Sequence, residues 1–183
     1  MKKIIFGLLC LYCSINFSFQ LPKIRQFTFG YYDNDLVNAR PVQKSASAVD
    51  SGEIVMYDQE FYRYGEHFSM NGGLSYSHWS RKNVDLFDVA IYPQLRFWLY
   101  MDSRFAPYFL VSVGPSGMST SEFAGDQLGG KFAFQDIIGI CTRVGGEKAA
   151  DFCAKFQHYS NAGLEMPNHG FDVPVLFSIG YNF

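Results

Sequence analysis

Polar and apolar residues alternate along most of the chain, and no long window keeps a helical period. Side chains at positions i and i+2 of a strand share one face, so alternation predicts β-strands with one apolar and one polar face. The stretch 84–100 is the clearest example, because Phe87 and Val89 share one face while Asp88 lies on the other. The pattern predicts eight strands, at residues 25–33, 51–63, 66–79, 84–100, 104–119, 130–144, 148–161 and 171–183.

The predicted connections between these strands differ in length at the two ends. Those after the second, fourth and sixth strands are short, and those after the first, fifth and seventh are longer. Only the link after the third strand, at 81–83, is shorter than this rule requires. Short turns at one end and long loops at the other are typical of outer-membrane barrels. The apolar face of the last strand ends on Phe183, which resembles the assembly signal of such barrels.

We therefore predict an all-β fold, an eight-stranded antiparallel transmembrane outer-membrane β-barrel that occupies residues 20–183 as one domain. The alternative is a soluble calyx of the lipocalin type, whose strands would point their apolar residues inward. Asp88, Arg96, Lys155 and Gln157 would lie inside a membrane barrel and outside a calyx. The composition favours the membrane barrel, since aromatic residues make up 18% of the chain and charged residues only 17%.

The first residues have the pattern of a secretory signal peptide. Two lysines after Met1 are followed by an apolar stretch that runs to Phe19. We expect residues 1–19 to be removed on export, with the cleavage site approximate. The net charge of −2 and the lack of a Lys/Arg cluster exclude nucleic acid as an expected partner.

The four cysteines divide between the signal and the mature chain. Cys10 and Cys13 would leave with the signal peptide, so that Cys141 and Cys153 remain in an oxidising compartment. These two residues flank a short predicted turn on neighbouring strands, with the same inward parity. A cross-strand disulfide and a pair of buried free thiols are both consistent with this placement.

The candidate chemistry lies on the predicted seventh strand. His158 and Ser160 are two residues apart and share a face, with Cα atoms about 6.5 Å apart. Phe152, Ala154 and Phe156 precede them on that face, so the pair is expected to face the membrane, where a substrate would be a lipid. A serine beside a histidine is the beginning of a nucleophile and its general base.

The surrounding block resembles a known family. His158–Leu164, followed by Pro167, Asn168 and Gly170 and preceded by the stretch 134–139, resembles the lipid A 3-O-deacylase (PagL) family of eight-stranded outer-membrane barrels. The resemblance implies hydrolysis of the ester-linked acyl chain at the 3-position of lipid A in the outer leaflet, with no metal or organic cofactor. It implies lipid A or lipopolysaccharide as substrate and outer-membrane lipids as surroundings. Homodimers occur in the family, and the sequence does not establish one here.

The resemblance also implies residue roles. Ser160 becomes the nucleophile and His158 the general base, and the third member of the triad, a glutamate in the family, falls here on Asp172. Glu165 is the competing acid. Asp172 has the inward parity when counted from the last residue, but a bulge of one residue at Pro174, which lacks an amide donor, would return it to the outer face.

Three further residues match family positions that are critical for activity. Asn161 and the backbone N–H of Gly163 are candidate donors to the oxyanion of the tetrahedral intermediate. Asn168 is a matched amide that is equally explained by capping a turn. Two other functions remain open on the sequence alone: a non-catalytic barrel that serves adhesion or structure, and an outer-membrane phospholipase, although barrels of that enzyme class have about twelve strands.

Overall fold

A computed structural model of the protein describes residues 24–37, 47–100, 104–145 and 149–183. The expected signal peptide, with Cys10 and Cys13, lies outside these residues. The described chain forms β1 (Arg25–Asp33), α1 (Asn34–Val37), β2 (Ser51–Tyr64), β3 (Phe68–Arg81), β4 (Val84–Trp98), β5 (Phe105–Met118), β6 (Glu122–Phe123), β7 (Asp126–Gln127), β8 (Phe132–Val144), β9 (Ala150–Ser160) and β10 (Phe171–Asn182). No helix among the described residues has the length and apolar character needed to cross a bilayer.

Eight of the strands close into an antiparallel barrel in the order β1-β10-β9-β8-β5-β4-β3-β2. This confirms the predicted fold class, and the strand bounds agree with the prediction to within two residues. The hairpin β6-β7 was not predicted, because two-residue strands are too short to show an alternating pattern. The short link after β3 is a two-residue turn in which Lys82 and Asn83 both have positive φ, the conformation that suits tight hairpins.

The two ends of the barrel differ as predicted. The described termini meet at one end, where Arg25 and Phe183 exchange backbone hydrogen bonds of 2.9 and 3.2 Å. The turns after β2, β4 and β8 lie at this short-turn end. The connections after β1, β5 and β9 lie at the opposite end, called here the long-loop end.

The outer surface of the barrel is apolar and its interior is polar. Asp88, Arg96, Lys155 and Gln157 are at most 5% exposed, which is the membrane-barrel arrangement, and the calyx alternative is wrong. Large apolar side chains point outward from every wall of the barrel, as a lipid-facing surface requires. They include Phe27, Phe29, Leu74, Tyr76, Val89, Ile91, Phe97, Phe109, Val113, Ile138, Ile140, Phe152, Phe156, Phe177 and Ile179.

Paired charges and a disulfide stabilise the barrel from inside. Nη2 of Arg96 lies 2.7 Å from Oδ1 of Asp58, so this buried guanidinium has the carboxylate partner that burial requires. Cys141 and Cys153 are direct register partners on β8 and β9, with Cα atoms 4.1 Å apart, and form a disulfide. Of the two alternatives for the cysteines, the disulfide is therefore confirmed.

Candidate active site

The outer end of β9 carries the predicted histidine and serine on the outward face. Asp151, Lys155, Gln157 and Tyr159 point into the barrel, and the alternate positions point out. The pleat therefore continues the lipid-facing row of Phe152 and Phe156 into His158 and Ser160. Because β9 runs toward the long-loop end, the pair lies at the rim where the long loops begin.

Asp172 lies directly beside this histidine. The residues are register partners on β10 and β9, and Nδ1 of His158 is 2.7 Å from Oδ1 of Asp172. Below them the register shifts, because Val173 pairs with Gln157 whereas Leu176 pairs with Lys155. Three residue steps along β10 are therefore paired with two residue steps along β9. This is the bulge of one residue predicted at Pro174, and it turns Asp172 to the outer face.

The direct pairing explains why an aspartate reaches the imidazole. Cβ atoms of directly opposed residues on antiparallel strands lie about 4.5–5.5 Å apart, so a short side chain spans the gap. The competing acid, Glu165, lies elsewhere: its carboxylate is directed at Gly130 in the preceding long loop, where Oε2 would be 2.6 Å from an added Cβ. Asp172, and not Glu165, is the carboxylate that contacts His158.

The contact with Asp172 also determines which ring nitrogen is available for chemistry. A carboxylate only accepts hydrogen bonds, so Nδ1 of His158 carries the proton and Nε2 is left to accept one. Gly170 lies against both His158 and Ser160. A Cβ built on it would be 3.1 Å from Cε1 of His158 and 3.3 Å from Cβ of Ser160, so both side chains border the same small space.

Asn161 connects the two loops around the site. Its side-chain Nδ2 donates to the carbonyl oxygens of Leu128 at 3.2 Å, Gly129 at 3.1 Å and Glu165 at 2.8 Å. Its Oδ1 accepts the N–H of Gly163 at 2.9 Å. The side chain is 1% exposed. Asn161 therefore holds the loop after β9 against the loop after β5.

These contacts change the interpretation of the predicted oxyanion donors. Nδ2 of Asn161 and the N–H of Gly163 are both engaged within the loops, and neither is directed at Ser160 in this structure. Asn168 belongs to the same assembly, since its Oδ1 accepts the backbone N–H of Asn161 at 3.1 Å. The geometry gives all three residues a bracing role.

Aromatic packing supports the site from inside the barrel. Tyr159 points inward between His158 and Ser160 and stacks on Phe171, with ring centroids 4.5 Å apart and an interplanar angle of 11°. Its hydroxyl accepts hydrogen bonds from Nε2 of Gln135 at 2.7 Å and from Nε1 of Trp79 at 3.2 Å. These buried contacts fix the outer ends of β9 and β10 relative to each other.

Two polar side chains beside His158 and Asp172 were not singled out from the sequence. Asp136 on β8 is the register partner of His158 on the side away from Asp172. Ser47, in the loop after β1, donates its hydroxyl to Oδ2 of Asp172 at 3.0 Å. Neither had a signal that could have found it, because a loop serine and a single strand carboxylate are common in any barrel. In the described part of the chain, no cluster of three or more His, Cys, Asp or Glu side chains is placed to hold a metal ion.

Comparison with known proteins identifies relatives in sequence and in fold. The curated lipid A deacylase PagL of Bordetella bronchiseptica is 29% identical over 120 residues, which is 60% of this chain and 60% of the length of that relative. The crystal structure of the outer membrane enzyme PagL superposes with a TM-score of 0.61 at 15% identity, covering 87% of this chain and 98% of that one. Neisserial surface protein A (NspA) superposes with a TM-score of 0.53 at 11% identity, covering 87% and 96%.

The two structural matches share the barrel and show the fold alone. A surface protein and an enzyme both match it, so the barrel does not distinguish between their functions. The sequence comparison is more specific, because the family model described as lipid A 3-O-deacylase (PagL) matches residues 54–182, more than half of the chain. The resemblance found in the sequence is thereby confirmed: the protein is an outer-membrane β-barrel that belongs to the lipid A 3-O-deacylase (PagL) family.

Proposed function

We propose that the protein is a serine esterase that hydrolyses the ester-linked 3-hydroxyacyl chain at the 3-position of lipid A, in the outer leaflet of the outer membrane. The observation that carries this proposal is the 2.7 Å contact between Nδ1 of His158 and Oδ1 of Asp172, with Ser160 on the same outward face. A histidine oriented by a carboxylate and adjacent to a serine is the arrangement of a nucleophilic triad.

The first half of the reaction follows from these positions. Oγ of Ser160 attacks the ester carbonyl carbon while Nε2 of His158 takes its proton, and Asp172 stabilises the imidazolium through Nδ1. When the tetrahedral intermediate collapses, the C–O bond to the sugar breaks, and His158 returns the proton to the departing sugar oxygen. The acyl chain is then an ester of Ser160.

The second half repeats the chemistry with water. His158 removes a proton from a water molecule, whose oxygen attacks the acyl carbonyl carbon. Collapse of this second intermediate breaks the bond to Oγ, which recovers a proton from His158. The products are a free 3-hydroxy fatty acid and lipid A with a free 3-hydroxyl.

Exposure and location support a lipid substrate. The side chains of His158 and Asp172 are 39% and 19% exposed, on the surface that carries the apolar row of β9. A shallow groove of about 480 Å³ lies on the same outer face between β1, β9 and β10, with Ala154 and Phe177 among its walls. Ala154 is six residues from Ser160, about 20 Å along the strand, which is comparable to the length of a fatty acyl chain.

The experiment is expression of the chain in a Gram-negative host, followed by mass spectrometry of the extracted lipid A. We expect lipid A to lose one 3-hydroxyacyl chain with the intact protein and not with Ser160→Ala. Ser119→Ala is the matched control, since Ser119 lies in another loop at the long-loop end and accepts the N–H of Phe87. Unchanged lipid A from a folded, membrane-located barrel would refute the proposal, and lysophospholipids in its place would identify a phospholipase.

The proposed acid is tested by a set of isosteric substitutions. We expect Asp172→Asn to abolish most of the activity, because an amide cannot stabilise the imidazolium. Glu165→Gln and Asp136→Asn remove neighbouring carboxylates that do not contact Nδ1, and each should retain far more activity than Asp172→Asn. An inactive Glu165→Gln beside an active Asp172→Asn would reverse the assignment.

A further inference from the structure

The first long loop returns to the barrel at the proposed acid. Residues 47–49 lie beside β10 as a short parallel bridge in which Ala48 is paired with Asp172. The N–H of Asp172 donates to the carbonyl oxygen of Ser47 at 3.2 Å, and the N–H of Val49 donates to the carbonyl oxygen of Asp172 at 3.0 Å. Val49 is 1% exposed. The loop is therefore anchored to the backbone of the acid on both sides.

This anchoring places a hydroxyl on the carboxylate. Oγ of Ser47 donates to Oδ2 of Asp172 at 3.0 Å, while Oδ1 accepts from Nδ1 of His158 at 2.7 Å. The serine is itself held, since Nη1 of Arg81 donates to its carbonyl oxygen at 3.2 Å. The same guanidinium pairs with Asp126 at 2.5 Å in the hairpin β6-β7. Arg81 therefore fixes the position from which Ser47 contacts Asp172, and it links Ser47 to the hairpin β6-β7.

We infer that Ser47 is a positioning residue that holds the carboxylate of Asp172 in the orientation His158 requires. This inference rests on the proposed function. The terminal torsion of an aspartate is broad, so the hydrogen bonds that its oxygens accept set the plane of the carboxylate. A second hydrogen bond at Oδ2 fixes its plane, and a hydrogen bond to an ionised acceptor also stabilises the charge.

We expect Ser47 to affect the proton transfer at His158 and not the binding of the substrate. With the carboxylate held in place, the imidazolium that forms during attack is stabilised. Without the hydroxyl of Ser47, the carboxylate is less often in the orientation that stabilises the imidazolium, so the proton transfer is slower. Ser47 therefore alters proton transfer and leaves substrate binding unchanged.

The test compares Ser47→Ala and Ser47→Thr with the wild-type protein, purified from outer membranes in detergent, with lipid A as substrate. Loss of a hydrogen bond to a charged group predicts that kcat of Ser47→Ala falls about tenfold or more, with KM unchanged. Ser47→Thr keeps the hydroxyl and should restore most of kcat.

Three outcomes would overturn the inference: an unchanged kcat in Ser47→Ala, a KM that rises as kcat falls, or a Ser47→Thr variant as impaired as the alanine. Ser119→Ala controls for the loss of a loop hydroxyl at the same end of the barrel and should behave as wild type. Heat-modifiable migration on a gel verifies that each barrel is folded. Failure of the proposed function is a different result, because the wild-type protein itself would then release no acyl chain.

Discussion

Replacement of Asn161 by alanine distinguishes a brace from an oxyanion donor. The asparagine side chain contacts three carbonyl oxygens, those of Leu128, Gly129 and Glu165, and accepts the N–H of Gly163. Alanine removes all four contacts at a position that is 1% exposed. We expect the loop after β9 to separate from the loop after β5 while the barrel stays closed, because the strand hydrogen bonds are untouched.

The magnitude follows from the number of contacts. Only the hydrogen bonds to the carbonyl oxygens of Leu128 and Gly129 join the two loops, so at about 1 kcal/mol net for each, the closed arrangement of the loops loses roughly 2 kcal/mol. Since about 1.4 kcal/mol is a factor of ten, the ratio of closed to open loop should fall by roughly thirtyfold. Asn168→Ala removes only a contact within the loop after β9, to the backbone N–H of Asn161, and should have a smaller effect, of at most about fivefold.

Hydrogen exchange followed by mass spectrometry measures this opening directly. Peptides that cover residues 128–130 and 163–166 should exchange much faster in Asn161→Ala, and deacylation should fall in parallel. Peptides from β3 and β4, on the opposite wall, serve as the internal control and should be unchanged. If deacylation falls more than about a hundredfold while exchange in both loops stays at the wild-type rate, the bracing role is refuted and a direct role at the oxyanion is supported.

Three further predictions concern the strands around the site. In Gly170→Ala the new Cβ would lie 2.5 Å from the carbonyl oxygen of Tyr159, so the backbone must shift. We expect a folded barrel with at least tenfold lower kcat, and a wild-type kcat would contradict the close contact between residue 170 and Tyr159. Asp172→Glu adds a methylene to a side chain whose Oδ1 already lies 2.7 Å from Nδ1 of His158, so its kcat should lie between those of wild type and Asp172→Asn, and a value at or above wild type would refute this argument. Cys153→Ser removes the disulfide between residues that are 12 positions apart, which should lower the free energy of unfolding by about 3 kcal/mol and lower the melting temperature. Its kcat should stay at the wild-type value, and a reduced kcat would show that the disulfide also shapes the site.

Most of the barrel was predictable because its signal is local. A period of two along each strand determines which residues face lipid and which face the interior, so the outward position of His158 and Ser160 followed from Phe152 and Phe156. Even the break in that period had a local cause, since Pro174 cannot donate to the strand ladder and Asp172 lies just before the resulting bulge. The hairpin β6-β7 was not predicted, because its strands are too short to show a period.

The contacts between loops could be found only in the tertiary structure. Ser47 and Asp172 are 125 residues apart, and no periodic pattern relates a loop residue to a partner on the far side of the chain. Asn161 directly follows Ser160 in the sequence, yet its carbonyl partners at Leu128 and Gly129 come from another loop. The sequence alone therefore determined which side chains face the membrane, since strand geometry repeats every two residues. The contact of Ser47 with Asp172 and those of Asn161 with the neighbouring loop were decided by closure of the barrel, which brings β1, β9 and β10 together at one rim.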